Sequence, residues 1–141
     1  MSKNVSQNAL EFEKYLEEKE IQLEKNANDD LTTFFFREQI GAPNPVTIGV
    51  MFLNHDGVAN IVCYQFLKND KPKRRQALLE LVNTLNVEYT FIKYNVKDDL
   101  VTAVISVPFL ENFSPALIAS MISSLINALK KDYPRLTEVL A

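Results

Sequence analysis

Apolar positions along the chain alternate between two periods, and the switches between them mark out the elements. Ala9, Phe12, Leu16 and Leu23 recur at roughly helical intervals, so a first helix capped by Ser6 or Asn8 is expected to run to about Glu24, with Asn26 to Asp30 ending it. The period then drops to two. Leu31 to Glu38, Val46 to Leu53 and Val58 to Leu67 read as three strands, the first two separated by the proline loop 41–45 and the second pair joined by the turn Asn54-His55-Asp56-Gly57. Gly49 in mid-strand signals a bulge or the close approach of another group. A helix over Lys73 to Leu85 follows, with Ala77, Leu78, Leu81, Val82 and Leu85 on one face. Two more strands, Glu88 to Tyr94 and Leu100 to Val107, meet at Lys97-Asp98-Asp99. Ser114 and Pro115 then have the order of an N-cap and first helical residue, opening a last helix that Pro134 is expected to end.

The predicted fold is α+β, in the order α-β-β-β-α-β-β-α, with helices packed on a mostly antiparallel five-stranded sheet. At 141 residues the chain fits one domain, 1–141, able to bury a core without disulfides or a structural metal.

Composition narrows the function classes. Hydrophobic residues make up 47% and charged residues 23%, as in ordinary folded proteins rather than disordered ones. Three scattered glycines do not form a phosphate-cradling loop. One Cys and one His give no metal-ligand spacing, and Cys63, within an apolar run, reads as a small buried hydrophobe. No cofactor is expected. The start of the chain has no apolar signal region and no run spans a membrane, so a cytoplasmic protein without membrane contact is expected. A net charge of −3 argues against general nucleic-acid binding.

Candidate chemistry is sparse. His55 lies in a turn tip without a positioned partner, and the paired carboxylates Asp98 and Asp99 occupy a hairpin turn where neighbouring side chains point apart. Tyr89, Phe91, Lys93 and Tyr94 could stack on RNA bases, but aromatics also favour strands for their packing alone. The segment Lys68 to Arg75 carries five bases and one acid. Lys73, Arg74 and Arg75 at a helix start oppose the helix dipole, so they either lie in water or meet an anion or acidic partner. The last helix is apolar over more than a third of its circumference, and with Phe34 to Phe36 it implies surplus apolar surface. Phe35, Ile118, Ile122 and Ile126 are therefore candidate contact residues, and a homodimer is the expected outlet.

Between Arg75 and Leu140 a helix ending in Leu-Asn, a hairpin split by an acidic turn, and Phe113-Ser114-Pro115 before a long helix reaching Asp132-Tyr133-Pro134 together resemble the YbjN-like proteins, and more loosely the class I type III secretion chaperones of the Tir-chaperone kind. The resemblance implies a secretion-chaperone-like fold, often dimeric, that holds a protein segment. The expected function is thus a non-enzymatic, chaperone-like or regulatory module that binds a protein or peptide segment on its sheet and helix surfaces. The alternative is a small-molecule-binding or enzymatic protein with a pocket between the sheet and the last helix.

Overall fold

A computed structural model of the chain describes residues 6–53, 57–109 and 112–141. His55 and the tip of its turn lie outside the described residues, as does Glu111. The elements run α1 (Gln7–Glu18), β1 (Glu24–Ala27), β2 (Leu31–Glu38), β3 (Val46–Leu53), β4 (Val58–Lys68), a 3-10 turn (Pro72–Arg74), α2 (Arg75–Glu88), β5 (Ile92–Lys97), β6 (Leu100–Pro108) and α3 (Pro115–Val139). All strand pairings are antiparallel, in one six-stranded sheet ordered β1-β2-β3-β4-β6-β5. The fold is α+β as expected, but the sheet has six strands rather than five.

The additional strand, β1, occupies what was read as the end of the first helix. Ser6 caps α1 by accepting from the Ala9 amide at 3.2 Å. The helix stops six residues short of expectation because Glu20 turns left-handed (φ 57°) and the Ile21 amide donates back to the Leu16 carbonyl. The chain then doubles back on β2. Asn28 Oδ1 accepts from the amides of Asp30 and Leu31, closing the turn as a backbone mimic would. Glu24-Lys25-Asn26-Ala27 is exposed throughout and poor in strand formers, so pairing with β2 is what makes it a strand.

At the other end, Pro134 does not end α3, which runs to Val139. Leu136, fully buried, anchors the turn beyond the proline to the core, and burial of this kind outweighs one missing backbone bond.

One face of the sheet carries the core. Phe34, Val50, Ile61, Ile105 and Ile92 form one register row across five strands, all buried, and Phe36, Ile48, Cys63 and Ala103 form the next. Helix α1 lays Phe12 against the rings of Phe34 and Phe52 at 5.3 and 5.5 Å, and Phe109 and Phe113 close on Phe52 from the α3 side. Cys63 is fully buried in this layer, and burial pushes its thiol from 9.0 up to about 12. Because the unfolded thiol ionises first, its contribution to stability is complete below pH 9 and lost as pH rises towards 12. The thermal midpoint is therefore expected to fall across that interval, and less steeply in Cys63→Ala. A thiol reagent that labelled the folded protein at pH 8 as fast as the denatured chain would contradict this placement.

Candidate functional site

The second face of the sheet is bare: no described helix packs on it. Its rows are Leu31, Leu53, Val58 and Pro108; Thr33, Met51, Asn60 and Ser106; and Phe35, Gly49, Val62 and Val104. Most of these side chains are half-buried. Gly49 explains part of the surface. A Cβ there would lie 3.4 Å from both Thr33 Cγ2 and Tyr64 Cε2, so the tyrosine ring rests over the glycine and its hydroxyl donates to Met51 Sδ at 2.6 Å. The close approach comes from this ring, and β3 itself has no bulge. The irregularity lies in β4, where three residues, Tyr64 to Phe66, stand opposite Thr102. Gln65 turns to φ 41°, its amide donates to Thr102 Oγ1, and Phe66 is redirected towards Tyr94 on the core side.

Of the expected contact residues, Phe35 lies on this bare face, half-buried. Ile118 is corrected to a core residue: it is fully buried beneath α3 and offers no surface in the folded chain. Ile122 and Ile126 are partly buried against the core, so the wide apolar stripe of α3 is largely spent within the fold. The basic segment divides. Arg75 Nε and Nη2 donate to the two Asp99 oxygens at 3.0 and 2.5 Å, and this pairing holds the Asp99 carboxyl below its usual range. Asp98 and Asp99 both have positive φ, the turn geometry that suits a two-residue hairpin. The Asp99 carboxylate thereby reaches the start of α2, whose first turn contains no acid of its own. Lys73 and Arg74 remain exposed in the 3-10 turn, beside a shallow hollow of about 380 Å³.

A larger groove of about 650 Å³ opens between α3 and the β5 side of the sheet, where the alternative reading placed a pocket. Ile92, Ile105, Met121 and Ala128 form its floor, and Ser124, Asn127, Lys131 and Glu88 its polar rim. Phe91, on the rim, is 62% exposed, and Val87 in the last turn of α2 is 79% exposed; no described large hydrophobic residue is more exposed. Sequence reasoning expected the apolar surplus on α3 and β2 and missed these two. Asp99 is not in the groove but paired with Arg75.

Behind the groove lies a polar cluster that sequence reasoning also missed. Asp132, fully buried on α3, accepts from the Tyr94 hydroxyl at 2.7 Å, and Arg135 Nη1 stands 3.7 Å from its other oxygen. Burial, then the hydrogen bond and negative charge of Asp132, raise the Tyr94 hydroxyl well above its ordinary value. Tyr89 Oη makes no hydrogen bond of regular geometry, yet burial and the adjacent Asp132 push it up to about 12. Arg135 also binds Glu88 at 3.2 Å, so α3, β5 and the end of α2 are joined. The signal available in the sequence was Asp132 itself, a carboxylate at an apolar position of the α3 period.

The edge of β5 is closed by a side chain. Asn86 Oδ1 accepts from the Tyr94 amide at 2.7 Å, and Asn86 Nδ2 donates to the Tyr94 carbonyl at 2.9 Å. Both outward-facing backbone groups at the middle of the strand are thereby occupied. Lys93 Nζ donates to the carbonyls of Asn86 and Tyr89 at the end of α2.

Among the described residues, no group of three or more His, Cys, Asp or Glu side chains is placed to hold a metal ion, and no helix is long and apolar enough to cross a membrane. The layout is that of a two-layer α+β protein, with helices on one face of an antiparallel sheet and an uncovered apolar face opposite. The chain belongs to the YbjN family, whose profile matches residues 11–138 and which is described as "Putative bacterial sensory transduction regulator". Comparison with curated proteins gave no match.

Proposed function

We propose that this member of a regulatory family is a non-enzymatic protein-binding module, and that its bare sheet face joins two copies into a homodimer. The observation that carries this reading is the uncovered apolar face itself. The four strands β2, β3, β4 and β6 that carry its rows, at about 4.8 Å spacing and about eight residues at roughly 3.3 Å rise, give an area on the order of 500 Å², to which the flanking strands add towards the ~800 Å² per partner of a stable interface. Over β2, β3, β4 and β6 its three central rows carry no charged residue, while Glu24 and Lys93 stand at the two ends of the Phe35 row and Arg37 lies one row further on. Membership of a family described as a transduction regulator supports a role played through contacts rather than turnover.

Light scattering behind size exclusion tests the pairing. At micromolar concentration the wild type is expected to have the mass of two chains and Phe35→Asp that of one, because a charge buried unpaired at such a contact costs several kcal/mol. A wild-type mass of one chain would remove the dimer. Binding of a further protein is tested by pull-down with wild type and Phe91→Ser side by side, and recovery of no partner by either would count against the module as a protein binder. The groove between α3 and β5, with polar groups above an apolar floor, supports the second reading, a small-molecule site. It ranks behind because the groove is open along its length rather than enclosed.

A further inference from the structure

The bare sheet face is not uniformly apolar. Across β2, β3, β4 and β6 the row of Leu31 and the row of Phe35 carry no polar side chain, whereas the row between them, Thr33, Met51, Asn60 and Ser106, carries three. Within it Ser106 Oγ donates to Asn60 Oδ1 at 2.6 Å. The Asn60 amide is then half used. Its two Nδ2 hydrogens have no acceptor among the described residues, and turning the amide round would free the carbonyl instead, since a hydroxyl can donate or accept. In a single chain Asn60 is half-buried and water can reach it. A second sheet laid on this face excludes that water, and an amide end left unpaired there weakens the contact roughly tenfold for each copy. Within the three rows, the side-chain oxygens and nitrogen that could pair with it belong to Thr33, Asn60 and Ser106, all on the middle row. A slip of one step on the same face, two residues or about 7 Å, would set Asn60 against an apolar row instead.

We propose that Asn60 fixes the alignment of the pair: the two sheets meet middle row to middle row, and the free end of each Asn60 amide bonds to the middle row of the other copy. The role is that of a lone asparagine in the seam of a coiled coil, which selects one register at some cost in affinity. The inference rests on the pairing through the bare face and names the residue that selects its register.

Spin labels on Leu79→Cys read the alignment as the distance between the two copies. Leu79 is exposed on α2, while the native Cys63 is fully buried. In the otherwise wild-type chain one narrow distance is expected. Adding Asn60→Val should leave pairing at least as tight, because valine suits a half-buried strand and needs no partner, but the distance should become broad or multiple as slipped registers lose their penalty. Asn60→Asp should pair about a hundredfold more weakly at pH 7, where two carboxylates are brought to one row. Its pairing should recover as the pH falls through about 4 and the carboxyl is neutralised. Circular dichroism at each pH shows whether the variants keep the wild-type fold. A single narrow distance in Asn60→Val at the wild-type position would overturn the role of Asn60 while leaving the pairing in place. Pairing of Asn60→Asp as tight as that of the wild type would do the same. A wild-type mass of one chain would remove the pairing itself, and this inference with it.

Discussion

Phe52→Ala is expected to lower unfolding free energy by about 3–5 kcal/mol, the range for truncating a large buried aromatic. Phe52 is fully buried on β3, and its ring meets four others: Phe12 from α1, Phe34 from β2, and Phe109 and Phe113 from the segment leading into α3. The truncation would open a void shared by parts of the chain far apart in sequence. A small collapse of one neighbour cannot fill it, which places the expected loss in the upper part of the range. Urea unfolding followed by circular dichroism measures the effect, with Phe91→Ala as control. That residue is exposed, and its substitution is expected to change stability by no more than about 0.5 kcal/mol. A loss under about 1 kcal/mol for Phe52→Ala would mean that the five rings do not assemble as described.

Tyr94→Phe is expected to cost about 2–3 kcal/mol, although it removes a single oxygen from the core. The hydroxyl donates to Asp132 at 2.7 Å, and without it a fully buried carboxyl keeps only Arg135 at 3.7 Å and the irregularly placed Tyr89. Most of the cost is the desolvated group left behind rather than the bond itself. The double variant Tyr94→Phe, Asp132→Leu should therefore be more stable than Tyr94→Phe alone, because an apolar pair of similar volume leaves nothing unsatisfied at that bond. Equilibrium unfolding of the four proteins in the cycle gives the coupling. If the double variant loses as much as the two single losses added together, Tyr94 and Asp132 act independently and the cluster contributes no shared stability.

Much of the sheet was legible in the sequence because its strands are half-buried, and burial imprints a period of two. β2 and β3 occur with the bounds that alternation gave, and β6 extends one residue beyond. Where burial did not write the pattern, the reading failed. β1 carries no buried side chain, so only its turn, Asn28 to Asp30, could have announced it, and those residues were taken as a helix end. α2 runs on to Glu88 and β5 begins at Ile92 because Asn86 to Glu88 continue the helix, with the Tyr89 amide donating to the Leu85 carbonyl. The apolar surplus was expected on β2 and α3: Phe35 does lie on the bare face, whereas the α3 stripe is largely spent within the fold. Ile118 proved to be core, whereas Val87 and Phe91, isolated in sequence, form no periodic stripe and stand out only when the groove is seen. The pairing of Arg75 with Asp99 was equally hidden, since it joins residues 24 positions apart through a turn whose geometry no local pattern specifies.

The amide of Asn86 impersonates one residue of a neighbouring strand, and this sets the arithmetic of assembly. An edge that accepts a strand offers a fresh edge in return, so edge pairing has no natural last member and grows into ribbons. A face that meets its own copy is used up. With β5 plugged at its centre and β1 reduced to four residues, the sheet can grow sideways only with difficulty, while across its bare face it can be joined once. Under the proposed pairing, association would stop at a small closed number, and crowding would add more pairs rather than longer ones.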